Sequence, residues 1–322
     1  MKRFTLRFAV ICLVTFFTAQ SVSAAALLVP VGEVIGLQLK DDRVTVEGFD
    51  DSLGAAAQAA GLETGDQILS IDDIPIHCAE DIRRALKQSD GDVDLQIRRG
   101  KQTREIEISP AITENGPKLG ILLKEGITGI GTVTYYDPAS GTFGALGHGV
   151  NNPGGDLVVM TQGLAFSAQV DTVRKGRAGE PGQLMGSVTN PEPLAQLSKN
   201  TPQGIFGHGN RLFSGDPLPA ASAADIQPGP ATIRSTVRDG AVREYSVEIL
   251  KIYPGSGADG RNMVLRITDP ALLEATGGIV QGMSGSPIIQ NGKLVGAVTH
   301  VLVSDPTTGY GIFIENMLDA AA

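Results

Sequence analysis

The chain of 322 residues carries a net charge of −9, with 42% hydrophobic and 19% charged residues. This composition can bury a core, and the acidic balance excludes a nucleic-acid binder driven by phosphate neutralisation. The 41 glycines exceed the usual share of ~7% and follow no three-residue period, which excludes collagen and favours the tight turns of an all-β protein.

The N-terminal residues predict export. Basic residues precede an apolar run over residues 8–17, and small residues follow at Val22 and Ala24. This order is typical of a secretory signal peptide, here residues 1–24. The alternative is an uncleaved anchor, although the run is short for a transmembrane helix. We therefore expect secretion across the cytoplasmic membrane, with membrane contact only peripheral or through an uncleaved signal segment.

Residues 31–110 combine strand-like alternation with two helical stretches. Between the helical stretches lies the pattern Gly-Leu-x-x-Gly-Asp-x-Ile-x-x-Ile, from Gly61 to Ile71. Its second glycine permits a turn, and its aspartate can accept hydrogen bonds from nearby amides. The region resembles a PDZ domain of the type attached to exported proteases, which implies a small α+β domain.

A PDZ domain binds an extended peptide as an added strand and captures its terminal carboxylate with backbone amides. The resemblance implies that the peptide-binding residues are Ile35, Gly36 and Leu37. The alternative is a PDZ fold that packs on its neighbour or recognises an internal segment. Residues 111–117 predict a linker to the next domain.

Residues 118–322 are strand-like almost throughout. Short runs rich in Val, Ile, Thr and Tyr alternate with Gly, Pro, Asn and Asp, and only 194–199 and 270–275 have helical character. Many short strands at this spacing predict a β-barrel or sandwich, and some two hundred residues fit a pair of small barrels.

A candidate nucleophile stands in Gly282-Met283-Ser284-Gly285. A nucleophilic serine needs an exposed hydroxyl and backbone N–H groups aimed at the developing oxyanion. Gly282 allows its own N–H and that of Ser284 to converge, and Gly285 carries no side chain that would obstruct the substrate carbonyl. The strand, hairpin turn and strand that follow match the layout after the nucleophile of chymotrypsin-like serine proteases.

His148 is the candidate base, because glycines on both sides leave its imidazole uncovered and histidine exchanges protons near neutral pH. His77, His208 and His300 are the other histidines, and His208 also stands between two glycines. Single histidines without ligand spacing do not predict a metal site. We expect no cofactor.

Two blocks of sequence are specific enough to indicate a family. The first begins Gly-Thr-Val-Thr-Tyr-Tyr-Asp-Pro at Gly131 and leads to His148. The second runs from residue 279 to 314 and contains Gln-Gly-Met-Ser-Gly-Ser-Pro, Gly-Ala-Val-Thr-His-Val and Asp-Pro-Thr-Thr-Gly-Tyr-Gly. The chain resembles the stage IV sporulation protein B family of serine peptidases, a chymotrypsin-like branch. This implies a double β-barrel with a catalytic cleft, preceded by the PDZ domain.

The resemblance implies roles for individual residues. His148 is the base, Ser284 the nucleophile and Asp269 the acid that orients the histidine, with Gly282 and Ser284 forming the oxyanion hole. Asp269 could instead cap the short helix that follows it. Three further carboxylates are alternatives for the acid: Asp137, Asp156 and Asp171. The segment of Thr299, His300 and Val301 should pair with the substrate backbone.

The family's role implies an exported endopeptidase that cleaves a membrane-associated regulator during endospore formation. That cleavage triggers an intramembrane protease and activates a late sigma factor, and family members also cleave themselves. The implied location is the forespore intermembrane space. The alternative is a catalytically idle PDZ-containing scaffold that binds a membrane partner.

Overall fold

A computed structural model describes residues 25–152, 155–209, 213–255 and 260–322 of the chain. The predicted signal peptide, residues 1–24, lies outside these ranges. β-strands dominate the described residues, which confirms the predicted mainly-β class. Within the same residues, the helices are all too short or too polar to traverse a bilayer.

Alternation of apolar and polar side chains produces strands of two to nineteen residues in most of the chain. The strands are β1 (Leu27–Pro30), β2 (Val34–Phe49), β3 (Gln67–Ile71), β4 (Ile74–Pro75), β5 (Val93–Arg99), β6 (Gln102–Ile108), β7 (Ala111–Thr113), β8 (Gly116–Lys118), β9 (Ile121–Asp137), β10 (Thr142–Ala145), β11 (Met160–Arg174), β12 (Gln183–Thr201), β13 (Gly204–His208), β14 (Leu218–Pro219), β15 (Gly229–Thr236), β16 (Val242–Ile252), β17 (Met263–Ile267), β18 (Pro287–Gln290), β19 (Lys293–Val301) and β20 (Thr308–Phe313). The α-helices are α1 (Ala55–Ala59), α2 (Ala79–Gln88), α3 (Pro270–Thr276) and α4 (Ile314–Ala321), and a single 3₁₀ turn covers Ala223–Asp225 within the described residues.

Two barrels form the greater part of the structure. The first has the strand order β9-β10-β13-β12-β11-β2 and closes through pairing of β2 with β9. The second is the closed barrel β15-β16-β17-β20-β19-β18. Each encloses its own apolar core, with Ile35, Phe143 and Ile205 in the first and Leu265, Ile288 and Val298 in the second. The predicted double barrel is confirmed.

The PDZ-like unit has a separate core that involves Ile68, Ile71 and Leu95. Its strands continue the sheet of the first barrel, because β2 pairs with β3 at Val44 and Thr45 and β3 pairs with β5. β2 and β9 therefore run through both units. Their first-barrel halves pair around Gly36 and Ile130, and their PDZ halves pair around Val46 and Leu123.

The observed boundaries differ from the predicted ones. The start of the predicted PDZ domain, 31–110, belongs to the first barrel as far as Leu39. The predicted linker, 111–117, folds into the hairpin of β7 and β8. The helical character predicted for 194–199 is wrong, because these residues lie in β12 and pair with β11 and β13. Pairing on both edges overrides local preference there.

Candidate active site

His148 follows a sharp turn at the end of β10. Leu146 and Gly147 both have left-handed backbones, with φ of 69° and 70°, and they direct the chain out of the barrel. Nδ1 of His148 lies 2.9 Å from the carbonyl oxygen of Gly149. Because a carbonyl only accepts, Nδ1 carries the proton, which leaves Nε2 with a free lone pair. Burial disfavours the charged ring and lowers the pKa of His148, although the Gly149 carbonyl opposes this.

Ser284 lies in a turn that depends on glycine. Gly285 has φ of 97°, and a Cβ there would come 1.9 Å from the carbonyl oxygen of Thr132, so no other residue fits without movement. The Ser284 hydroxyl donates a hydrogen bond of 2.7 Å to the carbonyl of Thr299. In this arrangement the serine proton is directed to the backbone of β19.

Thr132 of β9 holds the histidine and serine segments together. Its Oγ1 donates to the carbonyl of Gly282 at 2.7 Å, and its N–H donates to the carbonyl of Ser284 at 3.1 Å. Its own carbonyl accepts from the N–H of Leu146 at 3.1 Å. Thr132 is fully buried. Sequence reasoning missed this residue, because its partners lie far away in the chain.

His148 and Ser284 face one cavity of about 420 Å³ between the barrels. Among the described residues, the amides of Gly282 and Ser284 donate no hydrogen bond, so both remain available to an oxyanion. The ring centroid of His300 lies 5.1 Å from that of His148. The remaining lining is largely apolar and comes from both barrels: Leu37, Leu39, Ile127, Ile130, Leu146, Val150, Ile279, Val280 and Val301.

The end of β19 also borders this cavity through Thr299, His300 and Val301. β20 pairs with His300 and Val301 on one edge, whereas in the described part of the chain the pairing of β18 with β19 ends at Ala297. This part of the strand can therefore accept an added strand on its second edge. The Thr299 side chain is buried and donates to the carbonyl of Gly260.

Asp269 lies apart from these residues. Its Oδ1 accepts from the amides of Ala271 and Leu272 at 2.9 and 3.0 Å, and its Oδ2 accepts from Ser246 at 3.3 Å. Its carboxylate thus caps α3, whose first residue is a proline. Gly260 lies beside the histidine segment, because a Cβ built on it would come 3.2 Å from the Gly147 carbonyl oxygen. The whole of β17, which spans roughly 13 Å, separates Gly260 from Asp269 along the chain. In this structure Asp269 is a helix cap and does not contact His148.

The other candidates also have local partners. Asp137 accepts from Ala139 and Ser140, and Asp171 accepts from Gln169. Asp156 lies 3.9 Å from the guanidinium of Arg43. His208 is exposed at the end of β13, and His77 lies before α2, so neither lines the cavity. Within the described residues, no three His, Cys, Asp or Glu side chains are placed to hold a metal ion.

The predicted peptide-binding residues of the PDZ domain are wrong. Ile35, Gly36 and Leu37 lie near the start of β2, where β9 pairs with one edge and β11 with the other. An added strand therefore finds no free edge there. The local sequence of a long strand does not indicate which neighbouring strands will pair with its edges.

A second cavity, of about 510 Å³, lies between α2 and the start of β9. Ile82 and Leu86 of α2 face Leu119, Ile121 and Leu122 across it. β2 covers one edge of β9 here, and no strand pairing of the described residues covers the other. Basic side chains border the cavity at Arg83, Lys87 and Lys118. These features suit an extended peptide.

Comparisons with known proteins agree with the two-part organisation. The family model described as SpoIVB peptidase S55 matches residues 115–318, and a PDZ domain model matches residues 52–99. No curated protein matches the chain.

Solved structures resemble parts of the chain. The PDZ domain of the SdrC-like protein from Listeria monocytogenes is 27% identical, with a TM-score of 0.22, over 26% of this chain and 87% of that one. The active form of the Rv3671c protease from M. tuberculosis is 14% identical, with a TM-score of 0.36, over 60% and 72%. An HtrA-type protease with a decapeptide is 15% identical, with a TM-score of 0.36, over 64% and 53%.

Proposed function

This chain belongs to the SpoIVB peptidase S55 family and is a serine peptidase with a PDZ domain, and from that premise we propose that Ser284 and His148 together hydrolyse peptide bonds. One observation carries the assignment. Thr132 ties the segment before His148 to the turn around Ser284, and both side chains border one cavity.

The proposed reaction begins when the Ser284 hydroxyl turns from the Thr299 carbonyl towards Nε2 of His148. Nε2 takes the hydroxyl proton while Oγ attacks the substrate carbonyl, and the resulting oxyanion accepts hydrogen bonds from the amides of Gly282 and Ser284. The imidazolium then protonates the leaving amine, and the acyl-enzyme forms. Water, deprotonated by the same ring, releases the acid and restores the serine.

Substrate recognition is proposed at two places. The backbone of Thr299, His300 and Val301 pairs with the substrate beside the scissile bond. A peptide segment binds between α2 and the start of β9, where apolar side chains and basic flanks suit a chain with a terminal carboxylate.

The biological role proposed here derives from family resemblance. The substrate is a membrane-associated regulator of an intramembrane protease, and its cleavage during endospore formation activates a late sigma factor. The enzyme is secreted into the forespore intermembrane space, and it also cleaves itself. Purified chain incubated with a synthetic regulator segment, followed by mass spectrometry of the products, tests the substrate directly.

Labelling with a fluorophosphonate probe tests the catalytic assignment. We expect the folded wild type to react and Ser284→Ala to remain unlabelled. Ser286→Ala is the matched control, because Ser286 lies two residues away and its buried hydroxyl has no partner among the described residues. Labelling that persists in Ser284→Ala, or a folded wild type that does not react, contradicts the proposal and favours the alternative of a catalytically idle scaffold.

A further inference from the structure

Asn200, near the end of β12, uses its side-chain amide to hold the segment after His148. Oδ1 accepts from the N–H of Val150 at 2.9 Å, and Nδ2 donates to the carbonyls of Val150 and Val158, each at 2.9 Å. Both amide hydrogens and the amide oxygen are engaged. The pattern requires an amide, because a carboxylate would place an acceptor against two carbonyls.

These contacts bear directly on the imidazole. The N–H of Val150 and the carbonyl of Gly149 belong to the same peptide group, which is planar and trans, so they point in opposite directions. Asn200 fixes the N–H end of this peptide. The carbonyl end then faces Nδ1 of His148, at 2.9 Å. One rigid peptide therefore transmits the position of Asn200 to the ring.

We propose that Asn200 is a positioning residue for His148, acting through the Gly149–Val150 peptide to keep the proton on Nδ1 and the lone pair on Nε2. In a Ser-His-Asp site a buried carboxylate does this. In this structure the main-chain carbonyl of Gly149 is the acceptor for Nδ1–H, and Asn200 holds the peptide that carries it.

The proposal rests on the proposed function, since it assigns a role to Asn200 only if His148 is the base. The test uses saturation kinetics with the fluorophosphonate probe, which separate the maximal labelling rate from the half-saturating concentration. For Asn200→Ala we expect the maximal rate to fall by about 10²-fold, the lower end of what a general base contributes. The half-saturating concentration should change little, because the proposed substrate strand lies in the other barrel.

Asn190→Ala is the matched control. Asn190 lies on the same strand, is exposed and accepts only a local hydrogen bond from Glu192. We expect wild-type labelling kinetics for this variant. Labelling of Asn200→Ala at the wild-type maximal rate would overturn the proposal. A fall in the maximal rate that is no larger than the fall in the folded fraction of the variant would also overturn it.

A spectroscopic measurement separates positioning from a purely structural role. In protein with ¹⁵N-labelled histidine, the ring nitrogen shifts of neutral His148, assigned by comparison with His148→Gln, should report the Nδ1–H form. Asn200→Ala should move His148 towards the Nε2–H form, whereas Asn190→Ala should not. A wild-type His148 with its proton on Nε2 overturns the proposal even if no Asn200 variant folds. A wild type that is not labelled at Ser284 overturns the proposed function instead.

Discussion

The hydroxyl of Ser284 donates to the main-chain carbonyl of Thr299, with 2.7 Å between the two oxygens. This carbonyl lies at the end of β19, where the substrate backbone is proposed to pair. A substrate N–H and the serine hydroxyl would then compete for one acceptor. Binding of the substrate backbone would free the hydroxyl to turn towards His148.

This competition predicts how peptide-like inhibitors react. A peptidyl phosphonate with a free N–H on the residue before the reactive group should label Ser284 faster than its N-methyl analogue. We expect a difference of about tenfold, the worth of one hydrogen bond of about 1.4 kcal/mol. Labelling rates of the two compounds check this. Equal rates would show that the Thr299 carbonyl does not receive the substrate backbone.

Thr132→Val should weaken both the fold and the site. It removes the hydrogen bond to the Gly282 carbonyl and leaves that acceptor unsatisfied, which costs about 1–3 kcal/mol in the free energy of unfolding. Thr134→Val is the matched control, because the buried Thr134 hydroxyl has no partner among the described residues. The free energy of unfolding, measured with denaturant, and the rate of probe labelling should both fall in Thr132→Val but not in Thr134→Val. Equal behaviour of the two variants would contradict the bridging role.

Substitutions at Asp269 distinguish a helix cap from a catalytic acid. Asparagine caps as well as aspartate, whereas alanine loses about 0.5–2 kcal/mol. We therefore expect Asp269→Asn to keep most of the labelling rate and Asp269→Ala to lower the unfolding free energy. Replacement of a triad aspartate by asparagine costs ~10⁴-fold in rate. A loss of that size in folded Asp269→Asn would place the carboxylate in the mechanism.

The pH dependence of labelling should follow the neutral form of His148. Because burial lowers its pKa below the ordinary value of 6.5, the ring stays neutral, and the base active, to a lower pH than an ordinary histidine allows. The acid limb of the rate profile should therefore have a midpoint below 6.5. His300→Gln should keep it there, because burial is the main cause. A midpoint above 6.5 in the wild type contradicts this prediction.

The cavity beside α2 should bind peptides. Selection from a library of peptides with free C-terminal carboxylates should yield ligands whose binding weakens by about tenfold or more in Leu122→Asp, because a charge there displaces apolar contact. Ile112→Asp is the control, since Ile112 is 83% exposed and does not line the cavity. Fluorescence anisotropy with the selected peptides measures both. Unchanged binding in Leu122→Asp would exclude this cavity.

The sequence predicted those features that have a local or family-specific signal. Glycines around His148 and Ser284, within the two sequence blocks, indicated both residues, and the structure places them at one cavity. Asp269 has the expected spacing from Ser284, but the proline after it begins a helix whose first amides need an acceptor. Its local capping role was therefore visible in the sequence as an alternative.

The remaining features depend on partners distant in the chain. The contact of Thr132 with Gly282 spans 150 positions, and that of Asn200 with Val150 spans 50. No local pattern marks such residues. The alternation at Ile35 to Leu37 is equally compatible with a strand of the first barrel and with one of the PDZ-like unit. A period of two predicts which face of a strand is buried but not which strands pair with it.

β2 and β9 have a practical consequence for dissecting the protein. Excision of residues 31–110 would delete the first-barrel half of β2 and leave β9 and β11 facing a gap, so the peptidase part would be expressed with an unclosed sheet. An isolated fragment ending at residue 110 would in turn lack the β9 residues that pair with Val44 and Val46. The two parts are therefore best treated as one cooperative unit that shares two strands, rather than as two domains joined by a linker.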